Sequence, residues 1–352
     1  MVHGKLNHAD VAEKALQDGN VDLIAIGHGL IADPHWAKKV KQGKMDEIVP
    51  CIGCGECHFN SMKGHARPCA VNPLNMHENE YELTPAEESR KILVVGGGAG
   101  GLKAAITAKQ RGFDVTLWEK NDFFGGCLLA AGGVQFKSDV KDYVDYLVRQ
   151  VEKYQIPVEM NKAATIEDIK AFNPDFVVIA TGADPIVIPV PGADKPIVTT
   201  AVSVLQKMNE VGQKVVIIGG GDVGCELAVD LQMNGKKVTV VEMQKDILMN
   251  GARFVANEQN IRYLVENSGV EILCNTGLTE VLDDGVLVKK DGEIVKIECD
   301  SVVFSAGFRA NQELFNAVKT AGFECVQIGD NAKVGKIIDA THQAYHYIRV
   351  LE

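Results

Sequence analysis

The chain reads as an α/β protein built on two Rossmann-like nucleotide-binding modules, preceded by a short βαβα unit and a four-cysteine loop. Three observations in the 352-residue sequence lead to that class. A G-x-G-x-x-G fingerprint occurs twice, at Gly96, Gly98 and Gly101 and again at Gly219, Gly221 and Gly224. Each follows an apolar run, precedes a helix-like run and leads to an acid, with 23 residues from Gly96 to Glu119 and 23 from Gly219 to Glu242. A strand–turn–helix–strand unit repeated at matched spacing marks duplicated modules. Upstream of both, Cys51, Cys54 and Cys57 share one short run, and Cys69 follows after eleven intervening residues.

Residues 1–49 read as a strand-like stub over 1–6, an amphipathic helix over 9–17 closed by Asp18-Gly19, and an apolar strand over 21–26. That strand ends at Gly27-His28-Gly29, and Asp33-Pro34 opens a further helix reaching about residue 42. Two parallel strands cannot make a stable sheet alone, so the segment reads as the end of something larger. Residues 50–90 hold the cysteine loop and an acidic connector with a boundary near Ser89. The first module comprises a strand over 91–95, a helix over 102–111 and a strand over 114–119. The second comprises a strand over 214–218, a helix over 225–234 and a strand over 237–242. Two apolar runs ending in small residues, 176–182 and 301–307, follow one module each and mark places where the chain crosses between nucleotide domains. Near the end, Gly329-Asp330 precedes a helix-like segment over 335–340.

Composition narrows the function classes. A formal net charge of −11 argues against nucleic acid or an anionic membrane as the main partner. No apolar run reaches the roughly 18 residues needed to span a bilayer, and the N-terminus does not resemble a signal peptide. Of nine cysteines, five (Cys127, Cys225, Cys274, Cys299 and Cys325) are scattered singly, which points to a reducing cytoplasm rather than a disulfide framework.

The motifs imply specific chemistry. Gly96 permits a tight turn, Gly98 lets a pyrophosphate approach the backbone, and Gly101 allows close helix–strand packing. A phosphate then lies at the positive end of the following helix. Glu119 ends the second strand, where a carboxylate accepts from the ribose hydroxyls of an adenosine. Gly219, Gly221, Gly224 and Glu242 repeat this logic. A carboxylate at Glu242 accepts from a 2′-OH and repels a 2′-phosphate, so NADH is favoured over NADPH, with Lys245 keeping the latter open. Asp330 is placed to accept from flavin ribityl hydroxyls. Four cysteines at this spacing suit an iron–sulfur cube or a tetrahedral zinc; two downstream dinucleotide sites favour the one-electron carrier.

In this order, the run Gly27-His28-Gly29-Leu30-Ile31-Ala32-Asp33-Pro34, the cysteine loop ending in Val71-Asn72-Pro73, and the two fingerprints resemble one family. They look like the C-terminal part of the iron–sulfur flavoenzymes that include 2,4-dienoyl-CoA reductase, 2-enoate reductase and trimethylamine dehydrogenase. The resemblance implies a (β/α)8 barrel tail over 1–49, an iron–sulfur loop and connector over 50–90, and an FAD domain over 91–189 and 308–352. An NAD(H) domain over 190–307 is inserted into it, in a disulfide-reductase-like arrangement. It places a [4Fe-4S] cluster on Cys51, Cys54, Cys57 and Cys69, and FAD on Gly96, Gly98, Ala99, Gly101, Glu119, Gly126, Cys127, Lys137, Ala164 and Asp330. Cys127 stands where relatives often carry glutamine. An FMN phosphate remnant falls on Gly27 and His28, with relatives carrying an arginine at His28; the alternative reading of His28 is a surface loop residue.

In complete members electrons run from NAD(P)H through FAD and the cluster to FMN in the barrel, then to an activated C=C bond. No substrate-side catalytic residue is identifiable in this chain. The resemblance therefore implies the electron-input module of an oligomeric enzyme, either a subunit whose FMN lies on a separately encoded barrel or a truncated chain whose barrel is missing. The alternative is a non-redox scaffold that holds only ADP in the first module. Residues 1–49 are expected either to dock on the barrel partner or to be poorly ordered.

Overall fold

The computed structural model describes residues 1–249 and 254–352. They form two compact units, the first comprising 1–128, 139–182 and 310–352 and the second 129–138 and 183–309.

The first unit is organised by a five-stranded parallel sheet in the order Cys325–Gln327, Phe176–Ile179, Lys91–Val95, Asp114–Trp118, Val158–Glu159. Its central strands, KILVV and FVVI, are almost wholly buried, as parallel strands covered on both faces must be. On one face Leu93, Val95, Val177 and Ile179 pack with Trp118, Ile169 and Val318. Helix Ala99–Gln110 buries Leu102, Ala104, Ala105 and Ala108. It starts three residues earlier than the sequence suggests because Gly98 is its N-cap and the fingerprint glycines form its first turn. The C-terminal helix Ile337–Arg349, longer than expected, lies against it: a Cβ on Gly100 would meet Ala340 O at 3.5 Å.

The second unit repeats the plan with a five-stranded parallel sheet in the order Glu271–Leu273, Lys237–Val241, Lys214–Ile218, Ser301–Phe304, Val198–Thr200. An antiparallel sheet of Thr276–Val281, Gly285–Lys290 and Glu293–Glu298 accompanies it. Side chains alternate along the central strand. Val215 and Ile217 join the core that holds Leu227 and Leu231, while Val216 and Ile218 join the core that holds Val286 and Phe304.

Residues 129–138 correct the expected partition. They belong to the second unit because Ala130 and Val134 are buried among Ala201, Leu205, Leu227 and Leu231, and Gln135 N donates to Asp230 Oδ1 at 3.0 Å. The outer crossing falls at 182/183 instead of 189/190.

At the N-terminus, Val2–His3 and Ile24–Ala25 pair in parallel as a two-stranded sheet. Helix Ala9–Gln17 matches its expected bounds, and two short helices, His28–Ala32 and Trp36–Lys41, follow. The segment is tied into its unit by Lys5 Nζ–Asp139 Oδ2 at 2.7 Å and Lys153 Nζ–Glu47 Oε1 at 2.9 Å. Val11, Leu23 and Leu30 remain exposed. Asp33 is its buried hub, accepting from His35 N at 3.0 Å, Val49 N at 2.9 Å and Lys39 Nζ at 2.6 Å. Asp33→Ala would strand a half-buried ammonium and two N–H groups, a loss of about 3 kcal/mol. Limited proteolysis should then cut within the first 50 residues faster than in the wild-type chain, while cleavage near residues 91–118 stays unchanged.

Candidate functional site

The turn after strand Lys91–Val95 can only be built from glycine at two positions. Gly96 has φ 107°, and a Cβ there would lie 2.4 Å from Ala180 O; at Gly101 it would lie 1.8 Å from Gly96 O. Gly98 is different, since nothing lies within 4 Å of its Cβ position. That open space above the first turn of helix Ala99–Gln110 is the cradle a pyrophosphate needs. Glu119 is buried at the strand end, with Oε2 accepting from Gly97 N at 2.6 Å and Oε1 from Asn121 N and Nδ2 at 2.8 Å. These three bonds fix the carboxylate and leave about one of its four lone-pair sites for a ligand hydroxyl. Gly125 N donates to Gly97 O at 2.9 Å, which sets Gly126 and Cys127 beside the same turn. Ala164 packs against the core of strand Asp114–Trp118, and Lys162 N donates to Glu119 O at 2.8 Å.

Asp330 lies in the one-turn helix Gly329–Asn331, its Oδ1 accepting from Gly335 N at 3.0 Å, and burial raises its carboxyl above the usual range. Asn331, which sequence reasoning missed, is fully buried and donates through Nδ2 to Thr181 Oγ1 at 2.8 Å and to Asn311 O. It thereby ties both chain crossings to the Asp330 turn, while its Oδ1 has no partner among the described residues.

The second module reproduces the first. Gly219 has φ 114°, a Cβ on Gly224 would lie 2.0 Å from Gly219 O, and Gly221 faces open space. Glu242 accepts from Gly220 N at 2.7 Å and Gln244 N at 2.8 Å, so about two lone-pair sites remain. Lys245 is exposed. Arg262 is held by Asp246 at 3.1 Å and Glu258 at 3.1 Å and donates to Ile247 O at 3.0 Å.

Lys137 does not sit with the first module. It lies in 129–138, with Nζ 2.5 Å from Glu226 Oε1 on helix Asp222–Met233 of the second unit. Burial raises the Glu226 carboxyl, and the Lys137 charge opposes the shift. No composition signal links two residues so far apart in sequence.

The four predicted cysteines converge. Cys54 feels the charge of Cys51 and Cys57, and Cys69 that of Cys54 and Cys51. Burial pushes the Cys54 thiol up to about 11 and that of Cys69 to about 12. Gly53 and Gly55, at φ 64° and 76°, turn the loop around Cys54, and Cys57 enters helix Glu56–Met62. Among the described residues, no three of these sulfurs lie within 4.8 Å of one another. The C-terminal helix clamps the loop: Thr341 Oγ1 donates to Ala70 O at 2.6 Å, His342 Nε2 meets Cys69 O at 2.9 Å, and Lys336 Nζ meets Glu56 Oε1 at 2.5 Å. Asn72 Nδ2 donates to Ile31 O at 2.9 Å, joining the Val71-Asn72-Pro73 end to the N-terminal segment. His28 opens a five-residue helix and packs edge-on against His58 at 4.9 Å, where the sequence suggests a loop.

Comparison with known proteins accounts for the duplicated turn. Residues 90–336 match the family model "Pyridine nucleotide-disulphide oxidoreductase". The chain is 36% identical over 344 residues to a cinnamate reductase of Clostridium sporogenes, covering 97% of this chain and 51% of that protein. It is 36% identical over 357 residues to an NADH oxidase of Thermoanaerobacter brockii, covering 97% and 54%. Among solved structures, a 2-naphthoyl-CoA reductase complex matches with a TM-score of 0.93 at 34% identity, covering 99% of this chain and 53% of that one. The chain thus spans about half the length of these relatives. No helix among the described residues is long and apolar enough to cross a membrane. With both glycine cradles lying inside the matched region, the chain belongs to the pyridine nucleotide-disulphide oxidoreductase family, whose fold holds FAD and NAD(H).

Proposed function

We propose that this chain is the NADH-oxidising, electron-input part of an ene-reductase-like flavoenzyme. FAD is held in the first unit by Gly96, Gly98, Ala99, Gly101, Glu119, Gly126, Cys127, Ala164 and Asp330, and NAD(H) in the second by Gly219, Gly221, Gly224 and Glu242. Cys51, Cys54, Cys57 and Cys69 hold a [4Fe-4S] cluster. The carrying observation is the duplicated cradle, in which a buried carboxylate with spare acceptor capacity stands beside an open glycine. A pattern that serves one dinucleotide recurs in each unit, as a transfer between two cofactors requires.

The bound cofactors supply hydride and one-electron chemistry. The chain's residues bind and orient them. Glu119 and Glu242 accept from ribose hydroxyls, and the helix starts at Ala99 and Asp222 stabilise pyrophosphate. With Arg262 engaged by Asp246 and Glu258, its charge is already neutralised, which favours a 2′-OH over a 2′-phosphate. Lys137 and Glu226 form an ion pair in the second unit, with the carboxylate buried and the lysine half-buried.

The barrel reading of residues 1–49 is supported by the open edges of a two-stranded parallel sheet and by exposed Val11, Leu23 and Leu30. It implies a barrel carrying FMN and the C=C substrate, supplied by a separately encoded subunit or a further part of the same polypeptide. Gly27 and His28 would then border the FMN phosphate, although the edge contact with His58 gives His28 a packing role as well.

The purified chain, loaded with FAD, is expected to reduce ferricyanide with NADH as donor and to release FAD on denaturation. Release of ADP alone with no dye reduction would overturn the reading in favour of a scaffold.

A further inference from the structure

We propose that the second unit carries a binding site for a small apolar carboxylate, one carboxylate group on an acyl or aryl body, at the far end of its parallel sheet from the glycine cradle. A cavity of about 430 Å³ lies there, between the parallel and the antiparallel sheet, and its size is that of a small-molecule pocket. The strand registers set its walls. Lys214 pairs with Lys237 and Val216 with Thr239, so all four stand on one face of the parallel sheet. In the antiparallel sheet Val286 pairs with Ile297 and Val288 with Val295, so these four share a face, and Lys290 continues it two residues beyond Val288. Lys214 and Lys237 begin strands that end beside Gly219 and Glu242. A strand's length, about 13 Å at the usual rise, therefore separates the cavity from the cradle.

The apolar part of the cavity is incompletely covered. Val288 is 1% exposed, whereas Val295, directly opposite it on the same face, is 44% exposed. An apolar body in the cavity would bury Val295 as its neighbour is buried. The charges around the cavity select what that body carries. Four lysines and two glutamates line it, a positive lining in a chain of net charge −11. Lys214 is held by Glu298 at 3.4 Å and Lys296 by Asp284 at 2.6 Å, while Glu271 Oε2 accepts from Thr239 Oγ1 at 2.8 Å. Lys237 and Lys290 have no ion-pair partner among the described residues; Glu293 stands opposite Lys290 in the ladder without closing one. Two cations thus remain for a ligand. Glu271 and Glu298 disfavour a polyanion, and none of the lining residues is an arginine that could fork a phosphate. A single carboxylate satisfies both limits.

The test is isothermal titration calorimetry of the full chain with decanoate, a biphenyl carboxylate, decyltrimethylammonium and inorganic phosphate, each with and without excess NAD+. Decanoate or the biphenyl carboxylate should bind saturably, one per chain and equally well with NAD+ present; which of the two binds tells an acyl from an aryl ligand. The ammonium compound and phosphate should not bind. The double variant Lys237→Gln/Lys290→Gln should bind the carboxylate about tenfold more weakly, the scale of two solvent-screened charge pairs. Val295→Glu, which sets a like charge on the exposed wall, should weaken it at least as much, with the thermal unfolding of the chain unchanged. Failure of both carboxylates to bind, or equal binding of decyltrimethylammonium or phosphate, would overturn the proposal. So would displacement by NAD+, which would put the ligand in the cradle, or wild-type affinity in both variants. If the double variant does not fold, Val295→Glu decides alone: wild-type affinity overturns the site and a tenfold loss supports it.

Discussion

Replacing Gly224 by alanine is expected to abolish NADH-driven dye reduction while leaving the flavin bound. The added Cβ would lie 2.0 Å from Gly219 O and 3.3 Å from Ser305 Oγ. The carbonyl oxygen cannot rotate away, because Gly219 already holds the sharp turn at φ 114°. Helix Asp222–Met233 would have to move off strand Lys214–Ile218, at the upper end of the roughly 1–3 kcal/mol that overpacking costs. That movement displaces the helix start from the site of the pyrophosphate, so NADH binding fails before the fold does. The mirror variant Gly101→Ala, with its Cβ 1.8 Å from Gly96 O, should lose FAD instead. Flavin content after gel filtration and NADH-dependent ferricyanide reduction check both variants. A Gly224→Ala protein that keeps its NADH activity, or that loses flavin as readily as Gly101→Ala, would refute the assignment of one nucleotide to each unit.

Much of this site was legible because its determinants are local. Four-to-five-residue apolar runs at 91–95, 176–179, 214–218 and 237–241 became parallel strands, and the acid 23 residues after each fingerprint came to rest beside it. Helix starts were misplaced because glycine usually argues for a turn, whereas Gly100 and Gly101 are tolerated inside a helix by close packing. The destination of 129–138 was not legible. Ala130 and Val134 would suit any core, and only the tertiary fit to Leu205 and Leu231 places them in the second unit. The same holds for Asn331 and Glu226, whose partners are distant in sequence. Asp33 stands in a legible motif, but its bonds to Val49 N and Lys39 depend on a fold no spacing rule describes.

Changing Cys54 to serine should remove the cluster and leave the flavin in place. Cys54 sits between two glycines in the left-handed region, so the loop presents it at the crest of its turn, close to Cys51 and Cys57. Burial raises its thiol to about 11, so without a metal the thiol is protonated at neutral pH. A bound metal reverses this by favouring the thiolate, and metal occupancy is thereby linked to folding of the loop. Serine matches the shape closely, but its hydroxyl is a far harder and less acidic ligand than a thiol. The flavin cradle should survive because its fixed contacts, Gly96 with Ala180, Gly101 with Gly96 and Glu119 with Gly97, involve no residue of the cysteine loop. Anaerobically prepared wild-type chain should contain about four irons and four sulfides and show a broad brown absorption bleached by dithionite. Cys54→Ser should lose that absorption and the sulfide while its FAD-to-protein ratio stays at the wild-type value. Retention of sulfide by the variant would remove Cys54 from the ligand set. Stoichiometric zinc without sulfide in the wild-type chain would turn the loop into a structural clasp and end the electron-relay reading.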